Sequence, residues 1–401
     1  GDNLFLCSIV ALDADTGRYK WHYQTVPGES WDFNSAMDIV SVDIDVHGQN
    51  VKTLMHAPKN GFFYIINRAN GKLLSAEPFA KVTWATEVDM KTGRPIEVPG
   101  SRYEDGEVLI WPGPIGAHNW QPMSWNPETK LMYFPYHDVP GYYNDKKIRP
   151  AEFLQEGHKL QAGVAYGAED TPPEVASTGL MAWDPITQST AWKVPNRGFA
   201  HAGTMTTAGN LVFQGLGDGR LIAYRAEDGT KLWEFDTGLG ISAPPITFET
   251  DGRQFIALPV GYGGGQAMVA GSLSAQHGWP YGVHPRRLLI FALDGKESLP
   301  TTPPPLQLTP VDDPSFVIDE QLAEKGAELW SETCAWCHGG GAVSGGGAPD
   351  LRVSGALFDL DTLRQVVVDG NKELRGMPKY PEFTDDDLKT IQHFVRKKAR
   401  L

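Results

Sequence analysis

Cys334-Ala335-Trp336-Cys337-His338 is the most chemically specific run in the sequence. Two thiols three positions apart sit on one turn, so each can add to a vinyl group of the same porphyrin. The adjacent histidine then lies under the iron as an axial ligand. Met377, 39 positions after His338 in Gly376-Met377-Pro378, offers a second axial ligand. A thioether opposite an imidazole raises the potential of such a haem. Two other uses of paired thiols compete. A structural zinc needs a second ligand pair, and the one remaining cysteine is Cys7. A thioredoxin-like pair wants a βαβ setting, which the flanking pattern does not supply. The run is therefore read as a covalent haem c on Cys334 and Cys337, with the iron between His338 and Met377. Met123, Met132, Met181, Met205 and Met268 are read as packing residues.

A haem turn needs helices to hold it, and the surrounding sequence supplies them. Asp319 to Thr333 carries Leu322, Ala323, Ala327, Leu329 and Trp330 at helical spacing, and Leu360 to Val368 does the same with Leu363, Val366 and Val367. Thr384-Asp385-Asp386-Asp387 reads as a capping box, opening a last helix with Leu388, Ile391, Phe394 and Val395 on one face. Residues 316–401 are thus expected to form an all-α unit of the class I cytochrome c type. Before them, Leu299 to Pro314 holds six prolines and reads as an extended, semi-rigid linker spanning 299–315, on the order of 50 Å as polyproline II.

Residues 1–298 read as short strands and turns. Ala11 precedes Trp21 by ten positions, Ala182 precedes Trp192 by ten, and Ala223 precedes Trp233 by ten, each across a turn such as Asp13-Ala14-Asp15-Thr16-Gly17. Weaker copies are Asn67-Arg68-Ala69-Asn70-Gly71 and Trp125-Asn126-Pro127-Glu128-Thr129. Each unit reads as a β-hairpin, and two copies lie 41 residues apart, which is blade spacing for a β-propeller. In that fold the tryptophan packs between neighbouring blades. Leu4 to Val10 reads as a strand. The formal net charge of −14 argues against nucleic acid as a partner. Three cysteines, two of them in the haem motif, leave no disulfide framework. No segment approaches the roughly 20 apolar residues of a membrane span.

Trp31-Asp32-Phe33, Ala57-Pro58-Lys59-Asn60-Gly61-Phe62-Phe63-Tyr64 and Gly116-Ala117-His118-Asn119-Trp120-Gln121-Pro122, upstream of a haem motif, resemble the quinohaemoprotein alcohol dehydrogenases. These are soluble enzymes with pyrroloquinoline quinone (PQQ), calcium and a C-terminal cytochrome c. The resemblance runs along essentially the whole chain. It implies that Asp32 is the catalytic base and a calcium ligand, that Lys59 hydrogen-bonds the quinone oxygens, and that Asn119 and Trp120 contact PQQ. The chemistry gives each type a reason. A carboxylate takes the hydroxyl proton, a hard cation polarises the carbonyl that accepts hydride, and an ammonium stabilises the charge that develops there. Outside these motifs Asp32 would cap a turn, Lys59 would be a solvated loop charge, and Asn119 with Trp120 would be inter-blade packing. His22, His118 and His201 are read as structural. Asn34 stands where lanthanide-using relatives carry a second acid, which favours calcium.

The resemblance therefore implies a partial eight-bladed propeller followed by a cytochrome c domain. It also implies oxidation of a small alcohol to an aldehyde, and a periplasmic location. Electrons would leave to a copper protein or another cytochrome. The residues before the linker suffice for about half to two-thirds of the family's blades. The sequence is accordingly expected to be part of a longer protein, whose N-terminal segment would complete the propeller and the calcium shell. The rival expectation is an electron-carrying cytochrome attached to a catalytically incomplete propeller. Two local departures bear on the substrate. Ala200-His201-Ala202-Gly203 replaces a Trp-Asn-Gly-Gly common in the family, and Tyr262 stands where a tryptophan is common.

Overall fold

The computed structural model describes residues 1–46, 48–145, 165–166, 177–196, 198, 201–262 and 269–401. Met268 and Ala200, named above, lie outside them. The first part of the chain is a series of antiparallel meanders. Strands β3 (Val40–Val46), β4 (Gln49–His56), β5 (Phe62–Asn67) and β6 (Leu73–Pro78) form one four-stranded sheet in chain order. A second contains β10 (Ser124–Asn126), β11 (Leu131–Asp138), β14 (Ser177–Asp184) and β15 (Ser189–Pro195). A third contains β16 (Thr204–Thr207), β17 (Leu211–Gly215), β18 (Arg220–Arg225) and β19 (Lys231–Asp236). They are flanked by the hairpin of β1 (Ser8–Leu12) and β2 (Tyr19–Gln24) and by a three-stranded sheet of β20 (Ile246–Thr250), β21 (Arg253–Val260) and β22 (Arg287–Ala292). The hairpin β7 (Ala85–Asp89) with β8 (Arg94–Glu97), and a small sheet of β9 (Val108–Ile110), β12 (Gly141–Asn144) and β13 (Ala165–Tyr166), are additions to the blades. Middle strands such as β5, β11 and β18 are buried on both faces, whereas β15 and β19 are largely exposed. This grading from core to rim is that of a propeller blade.

The alanine–tryptophan repeat has a structural cause. Ala11 pairs with Trp21, Ala182 with Trp192 and Ala223 with Trp233, and in each hairpin the register shifts immediately after the alanine. The bulge turns the hairpin end so that its tryptophan meets the next sheet. Trp21 covers the turn glycine Gly71 of β5–β6, where a Cβ would lie 2.6 Å from the ring. Trp192 likewise covers Gly229 of β18–β19 at 2.7 Å. Trp192 Nε1 also donates to the Ala226 carbonyl at 3.0 Å. The Trp125–Thr129 copy is different: it closes the β10–β11 hairpin, the first of its blade, at the same end as the β14–β15 turn. Leu4 to Val10 is not one strand. Pairing begins at Ser8, opposite Gln24, and Leu4, Phe5 and Leu6 are exposed in a turn that has no partner strand among the described residues.

The last part is helical. Helix α1 (Gly271–His277) belongs to the propeller side. Helix α2 (Glu320–Glu332), the one-turn α3 (Ala335–His338), α4 (Leu360–Val367) and α5 (Asp385–Ala399) form the C-terminal unit. Asp319 caps α2, Asp359 caps α4, and Thr384 with Asp387 forms the expected capping box of α5. Gly326 of α2 lies against the Thr390 carbonyl of α5, leaving no room for a Cβ. Trp330, Leu388, Ile391, Phe394 and Val395 fill the core around that crossing. The proline-rich stretch has no regular structure but is bonded at both ends rather than spanning freely. Leu306 N donates to the Gly278 carbonyl at 2.9 Å, and the buried Arg396 donates to the Val311 carbonyl at 2.6 Å. No helix among the described residues is long and apolar enough to cross a membrane.

Candidate active site and haem turn

Asp32 lies in the turn after β2, with a left-handed φ of 65°. Asp tolerates that conformation better than most residues. Glu29 holds it there: its Oε1 accepts from Trp31 N at 2.5 Å and from Phe33 N at 2.8 Å, the amides on either side of Asp32. Burial pushes the Glu29 carboxyl up, and those two amides oppose the shift. Trp31 is fully buried, stacked on Phe33, tilted against Trp84 and bonded through Nε1 to the Ser101 carbonyl. The motif thus anchors its aromatic residues and leaves the acid between them at the surface of the core.

Lys59 reaches Asp32 from the turn between β4 and β5. Its Nζ donates to Asp32 Oδ2 at 3.1 Å and to the Asp32 carbonyl at 2.8 Å. The Lys59 side chain is 7% exposed and that of Asp32 38%, so the cation is embedded while the carboxylate keeps an open side. The Lys59 stem crosses Gly116, where a Cβ would overlap Lys59 Cγ, and Ala117 N donates to the Lys59 carbonyl at 2.9 Å. The loop carrying Asn119 and Trp120 is thereby seated on the loop carrying Lys59. Within it, Asn119 Nδ2 donates to the Ile115 carbonyl and Asn119 Oδ1 accepts from Trp120 N, both at 2.8 Å, while Trp120 is half exposed. Cys7 is buried beside this cluster. Burial first, then the charge of Glu29, pushes its thiol up to about 12, so it stays a thiol.

Two of the residues that shape this site were given no role of their own from sequence: Glu29 and Gly116. Glu29 had a local signal, an acid two positions before a turn amide. Tyr262 is buried, donates to the Gly217 carbonyl and packs edge-on to Trp279, where a larger ring would have to displace Gly240. His118 is buried with both nitrogens bonded, and His22 meets Tyr19 OH at 2.7 Å. His201 is buried, with Nε2 3.3 Å from the Asn196 carbonyl. All three bond protein groups, as expected of structural histidines.

The residues fit a quinone flanked by an ammonium and a carboxylate. They do not by themselves form a calcium shell, because no group of three acid, histidine or cysteine side chains gathers among the described residues. The haem turn does fit its group. His338 N donates to the Cys334 carbonyl at 2.9 Å, which closes one helical turn and places both thiols beside the imidazole. His338 is buried, and its Nδ1 faces the Pro349 carbonyl at 2.7 Å. That bond puts the hydrogen on Nδ1 and leaves the Nε2 lone pair for a metal. Cys337 is exposed, and burial pushes the Cys334 thiol up to about 11. Met377 packs at the edge of the same core as Cys334.

Comparison with known proteins covers both parts. Residues 1–76 and 175–256 match the β-propeller domain of glucose/ethanol/alcohol dehydrogenases. Residues 321–395 match the family described as cytochrome c oxidase, cbb3-type, subunit III. The chain is 46% identical over 391 residues to quinohemoprotein alcohol dehydrogenase ADH IIB of Pseudomonas putida, covering 97% of this chain and 55% of that protein. It is 40% identical to the quinohemoprotein alcohol dehydrogenase of Comamonas testosteroni, covering 99% of this chain and 55% of that protein. The solved structure of ADHIIG from Pseudomonas putida superposes with a TM-score of 0.88 at 39% identity, over 100% of this chain and 59% of that one. The chain thus spans about half the length of the curated relatives it matches.

Proposed function

The chain belongs to the quinohaemoprotein alcohol dehydrogenase family, and from that premise we propose that it oxidises an alcohol to an aldehyde and passes the electrons through its own haem c. The observation that carries the proposal is the Lys59–Asp32 pair at 3.1 Å, with its carboxylate open, in one chain with a haem turn whose histidine is already oriented. Removing two electrons and two protons from RCH2OH gives RCHO. Asp32 takes the hydroxyl proton as general base. Lys59 holds that carboxylate and presents N–H to the oxygens of the acceptor. Asn119 and Trp120 border it on the adjoining loop. Bound there, PQQ would supply the two-electron acceptor for the hydride leaving carbon.

Asp32 would be one of the calcium ligands. In the second part, Cys334 and Cys337 would hold the porphyrin and His338 and Met377 the iron. The reading divides the chain into a dehydrogenase part (1–298), a joining strap (299–315) and a haem part (316–401). The electron acceptor would be a copper protein or another cytochrome in the periplasm, where haem c proteins and quinoprotein dehydrogenases of this kind work.

The test is haem absorbance of the purified protein after adding PQQ, calcium and a series of primary alcohols. Reduction that needs both PQQ and alcohol is the expected result. A haem that dithionite reduces and alcohol does not would instead identify an electron carrier on an inactive propeller.

A further inference from the structure

His118 is fully buried, and each of its ring nitrogens meets a backbone carbonyl: Nδ1 the Ala57 oxygen at 2.7 Å and Nε2 the Gln121 oxygen at 2.7 Å. Carbonyl oxygens only accept. A neutral imidazole has one N–H and would turn a lone pair toward the other oxygen, so serving both needs two ring protons. Ala57 lies two residues before Lys59, and Gln121 directly follows Asn119-Trp120. The ring therefore ties the two loops that carry the proposed quinone contacts.

A buried cation needs an opposite charge, and Asp38 is the acid that would supply it. Asp38 lies close enough that burial raises its carboxyl while the charge of His118 pulls it down. Its Oδ2 accepts from Met123 N at 3.0 Å, just beyond the clamped loop. The other titratable groups facing His118 are His56 and His137. Burial lowers them to about 4 and about 3, so both stay neutral and leave Asp38 as the counter-charge. Phe134 closes the remaining side, edge-on at 5.5 Å.

We propose that His118 is a buried, doubly protonated clamp, neutralised by Asp38, that positions Lys59 and the Asn119–Trp120 loop for the quinone. The proposal rests on the functional reading above only for what the clamp positions. Its charge state is independent of any cofactor. Nitrogen NMR of isotope-labelled histidine in the protein without quinone, with His118→Gln used to identify the signals, reads that state directly. Both His118 nitrogens should carry hydrogen at neutral pH, and Asp38→Asn should leave only one of them protonated. A single-proton ring in the unaltered protein overturns the clamp.

A second arm reads the positioning. PQQ affinity, titrated by quinone absorbance with calcium present, should weaken about 10-fold or more in His118→Phe, the factor that loss of about one hydrogen bond gives. His118→Gln, which keeps N–H donors, should recover part of it. A lowered melting temperature with unchanged affinity would make His118 merely structural and overturn the positioning role. If the unaltered protein fails to bind PQQ, the functional reading falls, while the NMR result still decides the charge.

Discussion

The two parts of this molecule build their chemistry on different scales. In the haem part, both thiols and the imidazole lie within one helical turn, closed by a single bond from His338 N to the Cys334 carbonyl. Local backbone geometry alone aligns them. In the propeller, Asp32, Lys59 and Trp120 come from three loops spread over almost ninety residues. Their loops are held in place because Gly116 lets two of them touch, Glu29 fixes one turn and His118 bridges the others. A site of the first kind tolerates damage elsewhere in the fold. One of the second kind is sensitive to single atoms well away from the reacting groups.

The largest effect should separate the parts cleanly. Asp32→Asn is expected to cut alcohol-driven haem reduction by about 10²–10⁴-fold, the contribution typical of a positioned general base. Reduction by dithionite and the haem spectrum should be unchanged. Retained turnover in stopped-flow absorbance would end the assignment of Asp32. Gly116→Val comes next. The new side chain would displace the Lys59 stem and should destabilise the propeller by about 1–3 kcal/mol, with alcohol activity lost and the haem turn spared. Denaturant unfolding followed separately by tryptophan fluorescence and by haem absorbance would show whether the damage stays on one side.

Acid should reach the propeller first. Burial lowers His56 to about 4 and His137 to about 3, against roughly 6.5 in an unfolded chain. Between those values the unfolded state binds protons that the native state refuses. Stability is therefore full above about pH 6.5 and falls as pH drops toward about 4, by up to about 1.4 kcal/mol per pH unit for each such histidine. In the helical part, apart from the haem histidine, His393 is the one histidine and is only partly buried. Calorimetry across that window should show the propeller transition moving down more steeply than the haem one. Parallel shifts would contradict the contrast.

Met377→Ala should be smaller still in its reach. Covalent haem should remain, with loss of the thioether ligand's spectral signature and a lower midpoint potential, and no change in PQQ affinity. An unchanged spectrum would reject Met377 as ligand. The smallest effect is expected at the blade joints. Gly229→Ala would press a methyl toward Trp192 and strain a φ of 72°, costing about 1–2 kcal/mol without altering either spectrum.

The same difference of scale decided what could be read from sequence. The haem turn, the capping box at Thr384 and the apolar face of α5 are local patterns, and they stand as expected. The ten-residue alanine–tryptophan spacing was legible because it is one hairpin with one bulge, repeated. Leu4–Leu6 read as strand from composition, but a strand needs a partner and these residues have none among the described ones. The hairpin β7–β8 and the sheet of β9, β12 and β13 interrupt the blade period and left no repeat to detect. Asp32 and Lys59 were identified by their motifs, and the structure brings them together. Glu29 acts within its own turn, whereas Gly116 and the bridging geometry of His118 act across loops far apart in sequence, where no spacing rule applies.

The central claim is that one chain couples alcohol oxidation to its own haem. It is tested most directly by measuring aldehyde formed and haem reduced in the same single-turnover mixture, with PQQ and calcium present and no external acceptor. Each alcohol gives two electrons and each chain holds one haem, so the account predicts one haem reduced for every aldehyde in the first turnover, the second electron staying on the quinone, with neither product appearing when PQQ is omitted. Aldehyde formed while the haem stays oxidised, or haem reduced without aldehyde, would contradict it.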